Sequence, residues 1–145
     1  MSDAEMAEFL AGQRVVVVAT NGAGGWPHLM PLWYVIRDGE IWAWTYAKSQ
    51  KVKNLERDPR ATLQIESGEQ YHELRGVMVE ANTVVHRELD AVSQLGSEIF
   101  ARYSGGEAGP DALDVVRAQA AKRVGLQFVP QRVASWDHGK LAGVY

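Results

Sequence analysis

The sequence predicts a mainly β domain with short helices, in which six antiparallel strands close into a small barrel. Three observations carry that expectation. Runs rich in β-branched and aromatic residues recur along the chain, at residues 14–20, 27–37, 40–47, 60–67, 71–85 and again from 123 onward, and such runs suit a pleated, packed surface. Asp38-Gly39 stands between two of them as a strong hairpin signal. The regular strand-helix alternation of a doubly wound fold is missing, as are GxGxxG and GxxxxGK[ST] motifs. A sheet of this size must close or hide its edges, which favours a barrel over a sandwich.

Taken in order, Ser2 or Asp3 can cap a helix running to Leu10, with Met6, Phe9 and Leu10 on one face and Gly12 as its stop. "RVVVVAT" (14–20) is a continuous β-branched run and predicts a strand covered on both sides. "NGAGG" (21–25) is a turn, and "PHLMPLWYVIR" resumes as one strand ending at Arg37, so the first half reads as an antiparallel meander. Pro31 has no N–H to donate and marks that strand as an edge, or a place where the ladder opens. A short helix from about residue 50 to 57 carries Val52 and Leu55 as a narrow apolar stripe. It must stop near Asp58, because Pro59 biases its predecessor away from helical angles. Residues 60–67 form a strand with Ala61, Leu63 and Ile65 on one face, and residues 71–85 another, bent at Gly76. The spacing of Leu89, Val92, Leu95, Ile99 and Phe100 predicts a helix over 86–103. A loop over 104–110 follows, then a helix over 111–122 and a final strand pair or single bent strand over 123–138.

At 145 residues, with 46% hydrophobic and 23% charged, residues 1–145 read as one domain with a sizeable core. A net charge of −3 argues against nucleic acid or an anionic membrane as partner, since both need a broad basic field. There is no cysteine, which excludes disulfides and thiolate chemistry. The first ten residues are acidic and lack a cleavage site, and no apolar run approaches the about 18 residues of a membrane span, so the expected location is cytoplasmic.

The chemistry-bearing stretch is "TYAKSQKVKNL" (45–55). If Ser49 is a helix N-cap, Lys51 and Lys53 fall in the first turn, where the macrodipole is already positive and lysine is misplaced unless an anion sits there. A phosphate would receive the Ser49 hydroxyl, free first-turn N–H groups and the Lys51 ammonium, with Lys48 or Lys53 at longer range. The competing reading is a solvated cationic face balanced by Glu56 and Asp58. The neighbourhood favours the first, because a tryptophan-bearing strand leads directly into the cations. "MPLWY" (30–34) is the second feature: backbone beside Pro31 could read the edge of a planar ring while Trp33 and Trp44 bound the slot. Taken singly, each of these tryptophans reads more readily as core. The four histidines have no metal-ligand spacing, no carboxylate pair suits acid-base work, and no hydrolase serine motif occurs. No catalytic side chain is assigned, which fits a protein whose cofactor carries the chemistry.

The stretch "PHLMPLWYVIRDGEIWAWTYAKSQKVKNLERDPRATL" (27–63) resembles the split β-barrel flavin and deazaflavin oxidoreductases, the superfamily of pyridoxamine 5′-phosphate oxidase. "MPLWY", the "DGEIW" hairpin, Thr45, Ser49 with Lys51, and "KNLERDPRA" carry the likeness. "KRVGLQFVPQRVASWDHGKL" is similar to one actinobacterial branch of F420-dependent reductases. The resemblance implies a six-stranded FMN-binding split barrel, homodimeric, with two cofactor sites at the subunit interface. It implies a phosphate held by Ser49, Gln50 and Lys51 and a ring lying along Met30, Pro31, Leu32 and Trp33, with Trp44, Thr45 and Asn54 completing the cofactor set. The oxidases have an arginine where Gln50 stands, and arginine and lysine on the ring strand where this chain has Leu29 or Met30 and then Trp33. That loss of cationic charge favours coenzyme F420 over FMN. The implied activity is hydride transfer from reduced deazaflavin to an electron-poor small molecule of the activated alkene or enone class. An FMN-dependent enzyme is the alternative. A non-catalytic flavin, deazaflavin or haem binder is a third, with His28 and His72 as the residues relevant to haem.

Overall fold

Ser2 caps the first helix, α1 (Asp3–Gly12), through a reciprocal capping box with Glu5. The computed structural model describes residues 1–105 and 111–141; residues 106–110 of the loop expected at 104–110 lie outside them. Strands β1 (Val16–Asn21) and β2 (Pro27–Leu32) form the first hairpin, and β3 (Val35–Arg37) and β4 (Glu40–Tyr46) the second. Asp38 and Gly39 turn the latter with φ of 50° and 77°, the positive pair that an Asp-Gly turn supplies at least cost. Helix α2 (Gln50–Arg57) follows, then β5 (Arg60–Ser67), β6 (Arg75–His86), α3 (Leu89–Tyr103), α4 (Ala112–Ala120) and β7 (Arg123–Asp137).

All seven strands belong to one sheet in the order β2-β1-β5-β6-β7-β4-β3, with every pairing antiparallel. The two outer strands are joined by Trp33 and Tyr34 alone. A flat sheet of seven strands would separate its edges by about 29 Å, whereas three steps of chain reach only about 11 Å. The sheet must therefore curl until β2 and β3 nearly meet, leaving a seam that no ladder closes. Phe128, Leu126, Leu63, Ile65, Val16, Val18 and Val77 fill the interior, each contributing about 1.5–3 kcal/mol when fully buried. A second cluster lies outside the wall, where Val35, Trp42 and Trp44 meet Leu95, Ile99 and Tyr103 of α3.

Several expectations are corrected. The strand count is seven, because residues 27–37 are two strands at opposite edges, and the meander is broken there. The cause is distant in sequence: the Tyr34 N–H donates to the Tyr103 hydroxyl (3.0 Å) and its carbonyl accepts from Arg102 (2.7 Å). Both backbone groups of Tyr34 are thus committed to α3 and not to a ladder. The run at 14–20 is buried on alternate residues only, so its second face is half covered. Residues 71–73 form a 3-10 turn with its own capping box, which delays β6 to Arg75. Gly76 marks no bend: an added Cβ would lie 2.1 Å from the Trp136 ring, so the glycine admits an indole, and the register shift falls between Glu80 and Ala81. His86 ends β6 and does not start α3. The closing segment is one strand that pairs with β6 and β4.

Candidate functional site

Helix α2 starts where β4 ends. Its N-cap, Ser49, has the extended backbone of a cap, yet its side chain caps nothing, and Ser49 Oγ is buried without a hydrogen-bond partner among the described residues. No acidic residue stands in the first turn. Lys51 does, and it is only 5% exposed. Burial lowers the pKa of its ammonium below the ordinary lysine value, with no charged group opposing that shift. One helix end thus brings together three kinds of donor: an unpartnered hydroxyl, a largely buried lysine and the first-turn N–H groups that every helix leaves over. Gln50 and Lys53 are exposed.

Asn54 is fully buried and its amide is in use. It donates to the Thr20 hydroxyl (3.1 Å) and accepts from Gln50 (2.8 Å), which ties α2 to β1 and steers Gln50. Arg57 adds a bond to the Asn21 carbonyl. Thr45 is buried, one residue before the end of β4. Trp44 projects from the other face, as alternation along a strand demands. Its ring meets Phe100 edge-on at 6.4 Å, and the approach requires Gly96 of α3, whose Cβ would lie 2.3 Å from the indole. Trp44 and Thr45 thus share a strand but not a face.

On β2, Met30 is exposed and Leu32 half-buried, while Pro31 pairs with Val17 on an edge strand, where its missing N–H costs no ladder bond. Trp33 follows in the two-residue crossover, 53% exposed, with its ring stacked on Tyr103 at 4.3 Å and 10°. The slot imagined between Trp33 and Trp44 is thus replaced by two rings each held by α3. Residues that sequence reasoning missed are Arg102 and Tyr103, which fix the crossover, and Lys122 and Arg123. The Lys122 carbonyl accepts the Ala47 N–H (2.9 Å), bringing this pair beside the turn before Ser49. The Arg123 guanidinium lies over Tyr46 (4.3 Å) and Trp44 (4.9 Å). No local signal could have revealed them, since each lies about 70 residues from the group it serves.

His28 lies level with Thr20 and Ala61, whereas His72 follows the other end of β5. Six residues of strand separate those levels, about 20 Å, so they are not two ligands of one iron. No group of three or more histidine or acidic side chains could hold a metal among the described residues.

Residues 2–137 match the family model described as pyridoxamine 5′-phosphate oxidase. The chain belongs to the pyridoxamine 5′-phosphate oxidase family. Among solved structures it is similar to the conserved hypothetical protein Rv2991 of Mycobacterium tuberculosis, with 41% identity over 100% of this chain and 90% of that one, at a TM-score of 0.91. An F420 reductase shares the fold at 17% identity, with 88% and 94% of the two chains covered and a TM-score of 0.69. So does the haem storage protein HutZ of Vibrio cholerae, at 16% identity, 93% of each chain and a TM-score of 0.71. No curated protein matches the chain. Family membership accounts for the half-closed sheet, and no helix among the described residues is long and apolar enough to cross a membrane.

Proposed function

We propose that this family member is an F420-dependent oxidoreductase that passes hydride from reduced deazaflavin to an electron-poor small molecule of the activated alkene or enone class. One observation supports the reading above the rest: at one helix N-terminus a buried serine hydroxyl stands without a partner among the described residues, and two positions on lies a lysine that is only 5% exposed. Burying a cation is costly unless an anion meets it, and a phosphate accepts from the hydroxyl, the ammonium and the first-turn N–H groups together. Those groups fit the phosphate of F420 or of FMN.

In this reading Ser49 and Lys51 hold the phosphate, with Gln50 held in place by Asn54. Met30, Pro31, Leu32 and Trp33 carry the flat ring, and Thr45 faces it from β4 across the open seam. Trp44 backs the site through its packing on α3. The neutral Gln50 favours the deazaflavin over FMN. Leu29 and Met30, on opposite faces of edge strand β2, and Trp33 just after it are all exposed apolar side chains, which suits a homodimer whose second subunit completes the site. The bound deazaflavin supplies the hydride. The chain binds the phosphate, orients the ring against the acceptor and excludes water, so the barrier falls through positioning. A cytoplasmic location goes with this reading.

Titration with F420 and FMN side by side, followed by fluorescence, tests it. F420 is expected to bind more tightly, and Lys51→Ala should cost about 1.5–3 kcal/mol of affinity, the range of a charge-assisted hydrogen bond, with cooperative unfolding retained. Equal affinities in wild type and variant would remove the phosphate assignment. Tighter FMN binding would shift the reading to an FMN enzyme, and a bound cofactor that no acceptor oxidises would shift it to a carrier.

A further inference from the structure

Helix α1 packs Phe9, Met6 and Leu10 against the sheet's core, and beside that contact an apolar cleft remains. Met6, Ala7 and Leu10 form one wall of a cavity of about 440 Å³, and Ile36, Val79 and Val133 stand on the opposite wall. Asp3 is the one charged side chain among the lining residues. Polar ties fix the helix at both ends. At its start, the Met1 ammonium donates to Ser135 Oγ (3.1 Å) and Lys140 pairs with Glu5 (2.7 Å). At its end, the Tyr34 hydroxyl and the Arg102 guanidinium both donate to the carbonyls of Leu10 and Gln13. A cleft lined in this way offers water few hydrogen-bond partners.

We propose that this cavity binds an uncharged apolar small molecule the size of two or three aromatic rings. A cavity of roughly 150 Å³ accepts benzene, and this one is about three times larger. It lies in the range of about 300–1,000 Å³ typical of ligand pockets. All of the lining residues belong to one chain. The Asp3 carboxylate on the wall disfavours an anion. None of the residues proposed for the cofactor lines it, so the inference stands apart from the F420 reading.

The probe is N-phenyl-1-naphthylamine, neutral and of fitting size, titrated by fluorescence into the full chain. Its sulfonated relative 1-anilinonaphthalene-8-sulfonate serves as the anionic comparison. Saturable binding at a single site is expected, with the sulfonate clearly weaker. Ala7→Phe from the helix wall and Val133→Phe from the sheet wall should each weaken the neutral probe by about tenfold through lost volume. Either variant alone suffices if the other unfolds, and F420 affinity should stay unchanged in both. Non-saturable binding, binding indifferent to both variants, or displacement of the probe by F420 or FMN would overturn the proposal. So would a change of molecular mass in light scattering on Val133→Phe, which would make a second copy of this chain the occupant.

Discussion

Helices α1 and α2 both begin at a serine with almost the same backbone, φ −70° and ψ 169° at Ser2 against φ −69° and ψ 157° at Ser49. At α1 the hydroxyl accepts from the Glu5 N–H (3.2 Å) and the Glu5 carboxylate accepts from the Ser2 N–H (3.0 Å). At α2 the residue three positions after the cap is Val52, which has nothing to return, and Ser49 caps nothing. The first turn of α1 is acidic and complements the helix dipole, whereas that of α2 contains a buried lysine that opposes it. One terminus pairs its serine with its own third-position residue, and the other leaves its serine hydroxyl without a partner among the described residues. A serine before a helix thus signals only where the helix starts; its neighbours decide whether the hydroxyl is used within the helix.

Substitution at Lys51 should separate the two termini most. Lys51→Met keeps the apolar stem and removes the charge, so cofactor affinity should fall by about 1.5–3 kcal/mol while the cofactor-free chain melts at a higher temperature, measured by calorimetry. A lower melting temperature would mean that the ammonium is already satisfied within the chain. Lys51 also sets a pH dependence. Its folded pKa lies below the ordinary 10.5, so phosphate affinity should drop as pH rises through that lowered value, and Lys51→Met should show no such limb. The desolvated lysine weakens the cofactor-free fold below its lowered pKa, and stability contributed by this group rises with pH between that value and 10.5.

Asn54→Ala comes next. It strands the buried Thr20 hydroxyl and should cost about 1–3 kcal/mol of stability, read from urea unfolding; a neutral result would show that α2 is held by Val52 and Leu55 alone. The paired comparison is Ser2→Ala against Ser49→Ala. The first removes a working cap and should lose about 1 kcal/mol of stability. The second removes no cap bond, so stability should hold while cofactor affinity weakens by about 0.5–1.5 kcal/mol. The smallest effect belongs to Glu5, whose carboxyl is held at about 2 by Lys140 first and then by its bonds to Ser2. Its stabilising effect is full above pH 4.5 and fades as pH falls through about 2. Glu5→Gln should flatten that part of an acid-unfolding curve, and an unchanged curve would mean that α1 needs neither tie.

The comparison also marks what could be read from the chain. The α2 boundaries, the Asp38-Gly39 turn, the edge position of Pro31 and the serine-lysine turn were legible because each rests on residues within a few positions of one another. The split of residues 27–37 was not. "PHLMPLWYVIR" is a plausible single strand by composition, and what interrupts it is the side chains of Arg102 and Tyr103. Trp44 and Thr45 were read together for the same reason: adjacency in sequence hides the fact that a strand sends neighbours to opposite faces.

By itself the sequence determined the antiparallel β character, the positions of most helices, the family likeness and the placing of a misfit cation beside a capping serine, all consequences of short-range dihedral preference and spacing. Only the tertiary structure decided that the sheet has seven strands and an unclosed seam, that Lys51 is buried and the Ser49 hydroxyl unpartnered among the described residues, and that an apolar cleft remains beside α1. Burial and hydrogen-bond satisfaction depend on what the rest of the chain brings to a residue, and across 70 or more positions no local pattern records it.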